Sequence, residues 1–159
     1  MRRRTTALAT LAALSMLGGA ALARDKGKSP DRGKTRDRAT IVVKMVNFKS
    51  DRGYMRIALF RGERGFPGKP KLALMSGTAR IKKGKSSFVF KNVPRGRYAI
   101  SVLHDENGNG KMDTNWVGIP REGGGTSRDA RARFGPPDYK DAVFAFAGAH
   151  EAEMPLLLV

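Results

Sequence analysis

Apolar residues in this chain recur at alternate positions in short runs, and each run is stopped by Gly, Pro, Asn or Ser. Residues 41–48 (IVVKMVNF) are rich in β-branched side chains. Tyr54–Phe60 sets Met55, Ile57 and Leu59 on one face and Tyr54, Arg56 and Ala58 on the other. With Ser50-Asp51-Arg52-Gly53 as turn chemistry between them, the two runs predict an antiparallel hairpin whose Met/Ile/Leu face is buried. A Gly/Pro-rich loop spans 62–70, and residues 72–75 suit either a short strand or a helical turn. Strands follow at 79–82 and 86–90 around a Lys83-Gly84-Lys85 turn. In Asn92-Val93-Pro94-Arg95-Gly96-Arg97-Tyr98 a Pro-x-Gly turn leads into an alternating strand with Tyr98, Ile100 and Val102 on one face. The last two strands are predicted at 142–147 and 152–159, joined by Gly148-Ala149-His150. Pro155 assigns the final one to a sheet edge or a bulge, because proline cannot donate to a ladder.

Outside the first residues no 3.6-residue periodicity is sustained, so the expected class is all-β with little helix. The expected architecture is a single antiparallel Greek-key β-sandwich of about seven strands with one long Gly/Pro-rich loop. The N-(V/L)-P-x-G-x-Y segment resembles the closing strand of transthyretin-like and carboxypeptidase-regulatory-like β-sandwiches, which implies the prealbumin/Ig-like variety.

Residues 1–23 read as an export leader: Arg2, Arg3 and Arg4 form a charged head, 7–21 is apolar, and Ala21-Leu22-Ala23 offers a cleavage site. The apolar run holds about 15 residues where a spanning helix needs about 20, so the expectation is removal of the leader, leaving no transmembrane segment. Residues 24–39 are Lys, Arg, Asp, Gly, Ser and Pro and predict a basic disordered linker, and 40–159 form the folded domain. The expected location is periplasmic or secreted.

Charge and cysteine usage narrow the partners. The formal net charge is +17, and loss of the three leader arginines with no acid lowers it to +14. Such a surface suits polyanions, and the leader directs the chain away from nucleic acid towards an anionic envelope polymer, lipopolysaccharide or a glycan. There is no cysteine, so neither a disulfide framework nor a lipid-bearing cysteine is available, and burial, alone or with a metal, must stabilise a small domain.

The chemistry concentrates in Asp105-Glu106-Asn107-Gly108-Asn109-Gly110-Lys111-Met112-Asp113. Oxygen-bearing side chains at positions 1, 3 and 5, glycine at 6 and an acid at 9 suit Ca²⁺, a hard cation that takes six to eight oxygens. Position 12 is Trp116 where an EF-hand has a bidentate glutamate, and the preceding element is a strand. The expected ligands are therefore Asp105, Asn107, Asn109, the Lys111 carbonyl and Asp113, completed by Glu122 as first choice, with Asp138 and Asp141 as alternatives. Affinity is expected at about 10⁻⁴ to 10⁻³ M. The alternative is that Asn107-Gly108 and Asn109-Gly110 are turn residues that accept positive φ.

Residues 116–139 are dense in Gly, Pro and aromatics. Trp116, Phe134 and Tyr139 there either cover an open end of the sandwich or form a ligand-binding platform. A Ser127/His104/Asp105 hydrolase is poor geometry, since neighbours on a strand point to opposite faces, and His104 and His150 are too few for a zinc site. The expected protein is thus no enzyme. It is expected to be a binding or structural module with a calcium-stabilised loop, against two alternatives: a polyanion binder without metal, and a carbohydrate-binding or hydrolytic domain.

HDENGNGKMDTNWVGIPREGGGTS, with ARFGPPDYKDAVFAF after it and VPRGRYAISV before it, resembles the bacterial exported family called domain of unknown function 2141. The resemblance runs from about Ile41 onward. It implies an exported β-sandwich and carries no established activity. It points to Asp105, Asn107, Asn109, Asp113, Asn115, Gly118, Pro120, Glu122, Gly135 and Pro136. This chain departs from the family pattern at Gly124, Thr126 and Arg128.

Overall fold

The structure is a computed structural model that describes residues 38–132, 135–148 and 150–155. The leader and all but the end of the basic segment lie outside it, as do Phe134 and residues 156–159. Eight strands occur among the described residues: β1 Arg38–Val46, β2 Tyr54–Phe60, β3 Met75–Ala79, β4 Ser86–Pro94, β5 Gly96–Asp105, β6 Gly124–Thr126, β7 Phe144–Phe146 and β8 His150–Pro155. Helix among the described residues is limited to the four-residue α1, Tyr139–Ala142, and two 3₁₀ turns, Pro70–Leu72 and Ser127–Asp129. Among the described residues no helix is long and apolar enough to cross a membrane.

The strands form two sheets, one in the order β4-β1-β8 and one in the order β3-β2-β5-β6, with β7 also paired to β5. Every pair is antiparallel except β1 with β8, which run parallel. This corrects the purely antiparallel expectation. Ile41, Val43 and Met45 of β1 and Phe90 and Val93 of β4 meet Met55, Ile57 and Leu59 of β2 and Tyr98, Ile100 and Val102 of β5 in one buried cluster. The alternation read from the sequence is thus the alternation of burial.

Several pairings differ from expectation. β1 and β2 are not a hairpin: each belongs to a different sheet, and residues 47–53 carry the chain from one to the other. Two amphipathic strands bury their apolar faces equally well side by side or opposite each other, so patterning alone does not choose. Likewise the Lys83-Gly84 turn exists, with positive φ at both residues and reciprocal Lys82–Lys85 backbone bonds of 2.8 and 3.0 Å. It joins strands of separate sheets, and β3 ends at Ala79 instead of spanning 79–82. Asp51 fixes that turn by accepting from the Lys83 and Gly84 amides at 2.7 and 2.8 Å. Near the end of the domain α1 replaces the predicted start of a strand at 142, and β8 begins at His150, ahead of the expected 152. β8 is an edge strand, one of the two placements expected from Pro155.

The other face of the five-stranded sheet is also covered. Ala58 and Phe60 are buried there, Phe60 meets the Phe66 ring edge-on at 5.4 Å, and Ser101 donates to the Pro67 carbonyl at 3.0 Å. The Gly/Pro-rich loop is therefore a lid on β2 and β5. At the start of β5, Tyr98 donates to the Pro94 carbonyl at 2.9 Å, and a Cβ at Gly96 would sit 3.3 Å from that ring. This close approach explains the glycine in the Pro-x-Gly-x-Tyr pattern.

Candidate functional site

β5 delivers the loop. Along it Tyr98, Ile100 and Val102 face the core, so by the two-residue period His104 faces inward and Asp105 outward. His104 is fully buried, lies edge-on to Phe48 at 5.1 Å, and its Nε2 is 3.0 Å from the Arg52 carbonyl. Its Nδ1 has no hydrogen-bond partner and lies 3.8 Å from Glu106 Oε1.

Asp105 is also fully buried, yet it sits under the loop instead of in the core. Oδ1 accepts the amides of Gly108 at 2.8 Å and Asn109 at 3.0 Å, and Oδ2 accepts that of Gly110 at 2.9 Å. Arg56 Nε also donates to Oδ2 as an ion pair. Arg56 stands opposite Leu103, so Asp105 is its diagonal neighbour on the same face, within reach of a long side chain. Burial pushes the Asp105 carboxyl up and is the largest single influence. The Arg56 bond and charge and the Gly110 and Gly108 amides together outweigh it and hold the pKa below the ordinary carboxylate value.

A second carboxylate closes the loop from the other end. Glu122 is buried, and its two oxygens accept the Glu106 amide at 2.9 Å and the Asp113 amide at 3.0 Å. It therefore ties both ends of the loop to one side chain. Outside, Asn107 and Asn109 donate their Nδ2 groups to Asp113 at 2.6 and 2.7 Å, and their Oδ1 atoms accept the amides two residues on, at Asn109 and Lys111. Gly108 and Gly110 hold φ of +78 and +86, the left-handed conformation that glycine adopts at least cost.

The six expected ligands thus divide into an inner anchor, Asp105; an outer trio, Asn107, Asn109 and Asp113; a bridge, Glu122; and Lys111, whose amide joins the turn. Among the described residues no group of three or more His, Asp or Glu is placed to hold a metal ion. The oxygens of Asp105 and Glu122 already accept loop amides. Asp138 and Asp141 are elsewhere, at α1, where Asp138 pairs with Lys140 at 3.3 Å. Sequence reasoning missed Arg56, which stands in the place a cation would take against Asp105. The signal was a basic residue on an outward strand position, but the identity of the neighbouring strand was needed to use it.

Of the three aromatics expected together, Trp116 and Tyr139 are described, and they stand apart. Trp116 is 94% exposed and covers nothing. Tyr139 packs on Phe66 at 5.7 Å and lies 3.4 Å from the Arg97 carbonyl, near the start of β5, whereas the loop leaves its end. Some eight residues of strand, roughly 26 Å at 3.3 Å each, separate Arg97 from Asp105. Phe134 lies outside the described residues. Ser127 accepts the Ile100 amide at 2.9 Å and donates to the Ala142 carbonyl at 2.6 Å, so its hydroxyl holds α1 to β5.

A family model described as "Uncharacterized protein conserved in bacteria (DUF2141)" matches residues 43–154. No curated protein and no solved structure matches the chain.

Proposed function

The chain belongs to this family of bacterial proteins, and from that premise we propose an exported, non-enzymatic binding or structural module of the bacterial envelope. The observation that carries the reading is the use made of the acids: buried Asp105 and Glu122 gather five loop amides and Arg56, so the loop is a hydrogen-bonded clamp over one end of the larger sheet. A clamp of this kind presents the residues beyond it, 114–121, in a fixed conformation. The shared core of the two sheets supports reading them as a Greek-key sandwich of the prealbumin/Ig-like type, with β8 as a parallel edge strand.

Hydrogen exchange tests the clamp. In the metal-free chain the amides of Gly108, Asn109 and Gly110 should exchange slowly, and Asp105→Ala should release all three. Fast exchange in the parent chain, slowed only by added calcium, would overturn it.

A second reading keeps calcium, favoured by the outer trio, in which two carboxamides and the Asp113 carboxylate converge at the surface. Asn107, Asn109 and Asp113 would hold the ion, which supplies positive charge where amide nitrogens now donate. On this reading millimolar calcium raises the melting temperature and Asp113→Ala abolishes the response. Calorimetry showing no heat with calcium would end it.

A further inference from the structure

Beyond the clamp the chain makes a small projecting hairpin, closed by the Thr114–Pro120 bridge and the Arg121 amide bond to the Asp113 carbonyl at 2.8 Å. Its tip is apolar: besides Trp116, Val117 is 52% and Ile119 54% exposed. Its backbone is closed on itself. The Asn115 amide donates to the Ile119 carbonyl at 2.8 Å and the Gly118 amide to the Asn115 carbonyl at 3.0 Å. Asn115 Oδ1 accepts the Val117 and Ile119 amides at 3.0 and 2.9 Å. Four tip amides are thus paired within the tip, and Gly118 at φ +83 makes the turn possible.

Exposed apolar side chains over a backbone in which four of the five 115–119 amides are already paired suit a segment that leaves water for the interfacial edge of a hydrocarbon layer, where each unpaired amide is costly. Tryptophan is one of the two residues enriched at that depth. Charge selects the surface. Lys111 and Arg121 flank the hairpin, and Lys69 and Lys71 line a groove with Leu72 beside Gly110. Of the acids nearby, Asp105 is paired with Arg56, while Glu106, Asp113 and Glu122 keep their charge against neutral donors. Lys111 and Arg121 together with Lys69 and Lys71 outnumber these three, in a chain of formal net charge +17.

We propose that the 115–119 tip is a membrane-docking loop, inserting Trp116, Val117 and Ile119 into the interfacial layer of an anionic lipid bilayer while the flanking Lys and Arg side chains meet its phosphates. The clamp fixes the hairpin in this attitude, so docking needs no reordering of the loop. The inference does not depend on whether the loop binds calcium.

Trp116 is the only tryptophan in the chain, so its fluorescence reports the tip whichever other segment reaches the lipid. The full chain is titrated with phosphatidylglycerol vesicles, with phosphatidylcholine vesicles, and with either carrying brominated acyl chains. The expected result is a blue shift and bromine quenching on anionic vesicles that weaken with salt. The double variant Val117→Ser, Ile119→Ser, with an unchanged circular dichroism spectrum and melting temperature, should need at least about tenfold more lipid for the same shift, since each side chain loses burial worth a factor of this order. Trp116 emission that stays unshifted and open to aqueous iodide on vesicle-bound protein would overturn the proposal. So would a double variant that titrates like the parent, and an equal response on neutral vesicles would overturn the role of charge.

Discussion

Replacing Arg56 by methionine isolates what neutralises a carboxylate with no exposure to water. Methionine keeps the aliphatic stem over the outer face of β2 and removes the guanidinium, so Asp105 keeps its three amide donors but loses its ion pair with Arg56. Removing one partner of a buried pair costs about 3–5 kcal/mol. Two features place this case at the lower end: the amides continue to solvate the charge, and the Arg56 side chain is 34% exposed, so water already screens part of the attraction. About 3 kcal/mol is expected, equivalent to a fall of roughly 9–15 °C in melting temperature for a domain of this size. Urea unfolding at neutral pH measures it, and a pH series gives the sign. In the parent the folded pKa of Asp105 is lowered, so its stabilisation is complete above the unfolded value near 3.8 and is lost as pH falls through the lower folded value. In Arg56→Met, burial meets less opposition, the folded pKa rises, and acid-side loss of stability moves to higher pH. A cost below about 1 kcal/mol with an unmoved acid transition would refute the claim that Arg56 supplies the clamp's cation.

Other outcomes follow from the same geometry. Gly53→Ala should be severely destabilising, by more than about 2 kcal/mol in urea, because the new Cβ would lie 1.9 Å from the Asp105 carbonyl oxygen at a φ of +67. Glu122→Gln retains one acceptor oxygen for two amides. It should cost about 1–3 kcal/mol and speed hydrogen exchange at either Glu106 or Asp113, as amide-resolved NMR would show. Asp51 has its pKa lowered by the Gly84 and then the Lys83 amide, so it stabilises the 83–84 turn above about pH 3.8 and stops doing so as pH falls through its folded value. Asp51→Asn should remove part of the acid-side slope of stability, read from paired unfolding curves.

The strands were legible because burial on one face leaves a two-residue period, and Met55, Ile57, Leu59, Tyr98, Ile100 and Val102 are all buried in the shared core. Strand partners were less so. β1 and β2 have hairpin-length spacing and turn residues, yet the turn chemistry at 50–53 serves a crossing: Asp51 caps a distant turn, and Gly53 allows the chain to pass against Asp105. At the loop, the residues that matter were visible as a group, including Glu122, because Asp, Asn and Gly at alternating positions fit a tight acidic turn. What the spacing does not encode is the species opposing the carboxylates. A calcium ion and a set of amides with one guanidinium place similar demands on sequence, and only the register of β2 against β5 puts Arg56 beside Asp105. For Trp116 the sequence left two roles open, and its exposure of 94% removes the one in which it covers the end of the sandwich: aromatic content says a residue can be buried, not that a surface lies within its reach.

The parallel pairing of β8 with β1 gives the domain an order of completion. β1 is the middle strand of its sheet, but it is the first strand among the described residues, and its neighbours β4 and β8 come later. As the chain emerges in sequence, β1 waits with unpaired amides and carbonyls along both edges, and the second of these closes only when residues 150–155 arrive. A chain stopped at Gly148 would contain every residue of the larger sheet and still offer an open strand edge to whatever extended segment comes next.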